Sequence, residues 1–128
     1  MLVIGAAAVV FAVFHRAPDQ VAGHAFAIPS GPDRIVAEVL NGSGRQGLAR
    51  IATRMLRREG VDVVLLANAD SVVDSTRVLV RRGDRSRGDE VRAVLGTGAV
   101  SARADTLRRV DVTVVLGRDF RPHEAMHP

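Results

Sequence analysis

The hydrophobic positions of this chain change period several times, and each change marks a structural element. Arg34–Leu40, RIVAEVL, is apolar and β-branched, with Glu38 its only charge after Arg34; this is the pattern of a central strand. Asn41–Gly44 reads as a turn. From Arg45 to Glu59 the apolar residues Leu48, Ile51, Ala52, Met55 and Leu56 recur at helical spacing. Ser43 is placed to cap that helix, and Gly60 stands where a left-handed C-terminal cap belongs. Val61–Ala67, VDVVLLA, predicts a second strand, and Asn68–Ser75 a polar loop. Thr76–Arg81 alternates, which sets Thr76, Val78 and Val80 on one face of a third strand. Asp84 caps a second helix through Leu95, with Val91, Val94 and Leu95 as its buried side and Gly96 at its end. Thr97–Val110 is irregular and admits a short edge strand at Ala99–Ala102. Asp111–Gly117, DVTVVLG, is the last strand.

The order predicts an α/β (α+β) fold over residues 34–120. It reads β-α-β-β-α-β, a single small sheet with two helices on one face, in the split βαβ arrangement. A domain of this size buries roughly 60–65% of its unfolded surface.

The chain before this domain has another character. Residues 1–14, MLVIGAAAVVFAVF, are uncharged and almost wholly apolar. As a helix they span about 21 Å, short of the roughly 30 Å hydrocarbon core. Residues 1–16 are read as an N-terminal membrane anchor whose first residues are missing from this sequence. A signal peptide with Ala25-Phe26-Ala27 as its cleavage site is the alternative. No Arg or Lys precedes the apolar run, which counts against that alternative. A buried soluble helix is the third reading. His15-Arg16 favours an outside N-terminus, and a lost basic segment upstream would reverse it. Residues 17–33 carry three Pro and two Gly without a period and read as a linker. Residues 121–128 read as a disordered tail.

Composition narrows the function. There is no Cys, so thiol catalysis, disulfides and thiolate metal sites are excluded. The absence of Trp and Tyr argues against nucleobases stacked on aromatic platforms. All 18 basic residues are Arg, a skew more simply read as composition bias than as function. The formal charge of +4 is modest for this length.

Gly42, Gly44 and Gly47 fit G-x-G-x-x-G, the dinucleotide fingerprint. The rest of a nucleotide fold does not follow, because the chain passes from the second strand straight to a third without another crossover helix. The plainer reading is a tight turn. Asn41-Gly42 and Gly44 supply positive φ, and Gly47 lets the helix approach the sheet.

The same residues carry a resemblance. Val39-Leu40-Asn41-Gly42-Ser43-Gly44, then Gly47-Leu48-Ala49, Gly60-Val61-Asp62-Val63-Val64 and Asp111–Phe120, DVTVVLGRDF, resemble the C-terminal domain of LytR/CpsA/Psr-type cell-envelope proteins. The likeness runs from about Arg34 to Phe120. It implies an extracytoplasmic domain, usually tethered to the membrane, which in many members follows a domain that transfers glycan polymers to peptidoglycan. That transferase domain is absent from this sequence, so its activity is not carried over. The family offers no agreed ligand residues for this module.

Other motifs weigh less. His123-Glu124-Ala125-Met126-His127 fits the zinc-protease pattern H-E-x-x-H, but only Pro128 follows and a third ligand is lacking, so no metal site is expected. Arg82-Gly83-Asp84 and Arg87-Gly88-Asp89 fall at the start of the second helix, where their carboxylates suit a helix N-terminus. Asn41-Gly42-Ser43 is a formal glycosylation sequon in a tight turn. No G-x-S-x-G elbow is present. Arg50, Arg54, Arg57 and Arg58 form a basic stripe on the first helix, with Arg45 at its start; it is either a solvated face or a seat for anionic groups.

The expected function is a non-catalytic, membrane-tethered envelope module. Its partner is peptidoglycan, an anionic wall polymer or an envelope protein; no cofactor, metal or nucleic acid is expected. The candidate contacts are Asn41, Gly42, Ser43, Gly44, Arg45, Arg50, Arg54 and Arg58, with the Asn68–Ser75 loop. The alternative is a small nucleotide-binding protein or enzyme that uses the glycine loop.

Overall fold

The structure, a computed structural model, describes residues 33–105, 107 and 109–123. The anchor prediction and the linker prediction up to residue 32 fall on residues outside these, as does the tail beyond residue 123. Among the described residues no helix is long and apolar enough to cross a membrane.

Seven elements follow one another: β1 (Val36–Asn41), α1 (Leu48–Arg58), β2 (Asp62–Asn68), β3 (Arg77–Val80), α2 (Arg85–Leu95), β4 (Ala99–Ala102) and β5 (Val112–Leu116). They form an α+β domain with one mixed sheet in the order β2-β1-β5-β3-β4. The tolerated strand at Ala99–Ala102 is present, so the sheet has five strands where the predicted order counted four.

The split βαβ prediction is corrected. In that arrangement a strand separates the two parallel strands that a crossover helix joins. Here β1 lies directly beside β2, and β3 directly beside β4, each pair parallel. The chain thus makes two complete βαβ units, and β5 enters between them, parallel to β1 and antiparallel to β3. Burial explains the placement. Val112, Thr113 and Val114 are all closed to solvent, and a strand with both faces covered belongs inside a sheet.

The helices pack on their own strand pairs and on each other. Leu48, Ile51, Met55 and Leu56 of α1 and Val91 and Leu95 of α2 meet Val39, Val63, Val78, Val114 and Phe120 in one apolar core. Thr76, Val78 and Val80 are all buried, as their alternation predicted. Helix α1 ends in the expected way. Gly60 adopts φ +84°, its N–H reaches Arg57 O, and Val61 N–H reaches Leu56 O. Gly96 closes α2 with φ +79°. Asp84 does stand at the N-cap of α2, although its side chain makes no capping hydrogen bond.

Candidate functional site

The connection from β1 to α1 is a turn held by its own side chains. Asn41 Oδ1 accepts from Ser43 N–H at 3.1 Å and from Ser43 Oγ at 2.6 Å. Asn41 Nδ2 donates to Arg45 O at 2.8 Å, and Ser43 Oγ accepts from Arg45 N–H at 3.0 Å. Asparagine and serine commonly organise a backbone turn in this way. Ser43 is therefore not the helix cap: its hydroxyl is engaged two residues on. The helix does not start at Arg45 either. It starts at Leu48, behind Gly47, whose left-handed φ of 86° interrupts the helical path.

The glycines exchange their expected roles. Gly42 has no positive φ; it is required by close approach, since a Cβ there would stand 3.0 Å from both Leu116 O and Val73 Cγ2. Gly47 was expected to serve close packing and instead supplies positive φ. Gly44, with φ +76°, does both turn and exposure: its surroundings are open except for Val72 at 3.6 Å.

The loop after β2 closes on this turn. Ala69 N–H donates to Asn41 O at 3.0 Å, and Val73 N–H to Gly42 O at 2.8 Å. Between turn and loop lies an open cleft of about 840 Å³, with Asn41, Gly44, Arg45 and Arg50 on one wall and Asp70 and Val72 on the other. It sits at the carboxyl ends of two parallel strands and the N-terminal end of a helix.

Four of the eight candidate residues line this cleft, and their chemistry differs. Arg45 is anchored: its guanidinium donates to Phe120 O at 2.5 Å and reaches Arg118 O at 3.4 Å. Arg50 is exposed, and no other described residue engages its guanidinium. Gly42 and Ser43 are buried and do not line it. Arg54 and Arg58 lie further along α1, so the stripe is divided. Arg58 borders a second groove of about 370 Å³ with Met55, Glu59, Val94 and His123. Arg57 reaches back to β2, where it donates to Val63 O at 2.8 Å. Asp70 and Val72 are the contacts that residue-by-residue reading did not single out; only their loop was. Their exposure beside Gly44 depends on β2 lying next to β1, which spacing along the chain does not encode.

The residues that carried the resemblance hold the scaffold. Asp111 Oδ2 accepts from Val36 N–H at 2.9 Å and pairs with Arg87 at 3.0 Å. Asp119 Oδ1 accepts from Thr76 N–H at 2.8 Å and Thr76 Oγ1 at 2.7 Å, and Thr76 Oγ1 accepts from Gly117 N–H at 3.1 Å. Phe120 is fully buried. His123, the described member of HEAMH, lies with Nε2 3.1 Å from Val94 O, at the end of α2. Among the described residues no group of three or more His, Asp or Glu is placed to hold a metal.

Residues 34–120 match the family described as LytR cell envelope-related transcriptional attenuator. Among solved structures, the chain is similar to the soluble domain of a conserved hypothetical secreted protein from Mycobacterium marinum. The two are 27% identical with a TM-score of 0.50; the match covers 73% of this chain and 66%, just under two thirds, of that one. It is also similar to the solution structure of the C-terminal domain of RV0431, at 26% identity and a TM-score of 0.40, over 79% of this chain and 86% of that one. No curated protein matches the sequence.

Proposed function

Because the chain belongs to the LytR cell envelope-related transcriptional attenuator family over residues 34–120, we propose that it is a non-catalytic accessory module of the cell envelope. It is held at the membrane by residues 1–16, faces outward, and takes a wall glycan or an anionic wall polymer in the cleft between the β1–α1 turn and the loop after β2. The secreted origin of the M. marinum relative supports the outward location.

One observation carries this reading. The cleft gathers an exposed cation, Arg50, the backbone of Gly44 and one carboxylate, Asp70, on an open surface. Guanidinium and amide donors suit the hydroxyls and phosphates or carboxylates of a glycan polymer. A single solvated carboxylate does not make the paired acid and base that hydrolysis or transfer requires. The cleft lacks an aromatic ring, so each sugar is held by hydrogen bonds and by the apolar rim at Val72, and repetition along a polymer supplies avidity.

The test is retention of the full chain on purified peptidoglycan sacculi and on anionic wall polymer, with Arg50→Ala alongside. Loss of one charge-assisted contact weakens binding by about tenfold or more. Equal retention of both proteins would remove the cleft from the reading. A parallel titration with NAD and ATP addresses the glycine-loop alternative, since a ligand present at about 100 times its Kd would stabilise the chain by about 2.7 kcal/mol.

A further inference from the structure

Both helices lie against one face of the sheet, and the opposite face carries no described helix. On the β3–β4 side of that face, the alternation that buries Val78 and Val80 turns Arg77, Leu79 and Arg81 outward. The register sets Ser101 and Arg103 beside them. These side chains line an open depression of about 500 Å³ that holds three guanidinium groups and no carboxylate. Arg81 is fixed there: its Nε donates to Thr113 Oγ1 at 3.1 Å and its Nη1 to Arg103 O at 3.1 Å. Those bonds leave most of the guanidinium donors unspent. Arg77 and Arg103 are exposed, and no other described residue engages their guanidinium groups. Glu38 stands on the same face, but it is only 5% exposed and accepts from Thr113 Oγ1 at 2.7 Å, so its carboxylate is closed to solvent.

An apolar side chain stands out at the end of this face. Leu107 is 92% exposed. Its N–H donates to Asp105 Oδ1 at 3.0 Å, and Asp105 N–H reaches Arg81 O at 3.4 Å, which ties it to the carboxyl end of β3. The domain begins at this same end. Asp111 donates its N–H to Val36 O at 2.8 Å and accepts from Arg81 N–H at 2.7 Å. The chain that carries the uncharged run of residues 1–14 therefore joins the domain close to Arg81.

We propose that this face adsorbs to the surface of an anionic phospholipid bilayer, with Arg77, Arg81 and Arg103 on the lipid phosphates and Leu107 entering the headgroup layer. The inference rests on the membrane location argued above, and the depression shares no lining residue with the cleft. Guanidinium groups alone would suit a soluble anionic polymer equally well. Two observations choose the bilayer. A leucine this exposed gains only where an apolar phase meets the charged one, as it does at a membrane surface. The chain also enters at this end of the sheet, so a segment held in the bilayer keeps the face at high local concentration, and a weak adsorption is enough.

The experiment uses the absence of cysteine in the full chain. A fluorophore is placed by Ser101→Cys on this face or by Glu90→Cys on α2, across the sheet from it. Each protein is mixed with vesicles that carry a quencher on their headgroups, either phosphatidylglycerol with phosphatidylcholine or phosphatidylcholine alone. On the anionic vesicles the probe at position 101 is expected to be quenched well beyond the probe at 90, and on neutral vesicles the two are expected to be alike. Arg77→Gln with Arg103→Gln is expected to lower the ratio of adsorbed to free face by about twentyfold. Leu107→Ser is expected to lower it as well, which a site for a soluble anion would not show. All three positions are exposed, and circular dichroism checks that the variants keep their fold. Flotation on neutral vesicles reads the anchor separately: its failure counts against residues 1–16, while the anionic vesicles still judge the face. The proposal is overturned if the two probes are quenched alike on anionic vesicles, if neutral lipid separates them equally well, or if either the arginine pair or Leu107 can be replaced without effect.

Discussion

The two βαβ units share an order of elements and differ in what they leave available. In the first, the connection from strand to helix opens into the cleft, with Arg50 and Asp70 at solvent. In the second, the matching connection is bound back into the molecule. Arg81 and Arg82 both donate their N–H groups to Asp111 O, at 2.7 and 3.2 Å. Arg82 Nε donates to Val110 O at 3.2 Å, and Arg87 pairs with the Asp111 carboxylate. The helices differ in the opposite sense. Seven of the eleven α1 residues are buried, against three in α2, Gly88, Val91 and Leu95. The first unit is therefore a deeply seated helix with an open mouth, and the second a shallow helix with a closed one. Polar groups already engaged within the fold are not at hand for a ligand, and a count of arginines does not separate the two kinds.

The joint between the units is where the largest effect is expected. A Cβ at Gly117 would stand 2.4 Å from Ser75 C and 2.7 Å from Thr76 N, both backbone atoms. Neither can rotate away, so Gly117→Ala displaces the end of β5 from the start of β3. A loss of about 3 kcal/mol or more is expected by urea denaturation. A loss under about 1 kcal/mol would mean that the units are joined less rigidly than their hydrogen bonds indicate.

Asp111→Ala tests the closed mouth. It removes the acceptor of Val36 N–H and leaves Arg87 without this carboxylate partner. The expected cost is about 2–4 kcal/mol, because a largely buried acceptor and its ion pair are lost together. Amide exchange should rise first at Arg81–Arg87, in the second unit. Equal loosening of the Gly42–Gly47 turn would erase the distinction between the units.

The sequence showed much of this architecture and concealed its most useful part. Element spans followed from periodicity to within a few residues, and Gly60 and Gly96 ended their helices as expected, because local sterics decide both. The exchange of roles between Gly42 and Gly47 was hidden. A glycine announces the absence of Cβ without saying whether space or φ demands it. Strand order was hidden as well. VDVVLLA has the continuous apolar character of a doubly covered strand, yet β2 lies at an edge with Val64, Leu65, Leu66 and Ala67 exposed. The candidate site inherited that uncertainty. Helical spacing aligned Arg50, Arg54 and Arg58 along α1, but only the neighbouring loop decides that Arg50 joins the cleft and Arg58 a different groove.

The smallest effect on stability bears most directly on the open mouth. Arg45 and Arg50 line the same cleft, five positions apart, and differ in what holds them. Arg45 ties the turn to the end of the chain's last described segment through Phe120 O. Arg45→Ala should therefore cost about 1–2 kcal/mol, the loss of a charge-assisted hydrogen bond to a backbone carbonyl. Arg50→Ala removes an exposed side chain that no other described residue engages, and its stability should stay within about 0.5 kcal/mol of the parent. Retention on anionic wall polymer should then fall for Arg50→Ala with no change in melting, whereas any loss for Arg45→Ala should follow its lower stability and recover on cooling. If Arg50→Ala destabilises as much as Arg45→Ala, the first unit holds its arginines as tightly as the second does, and the open mouth is scaffold too.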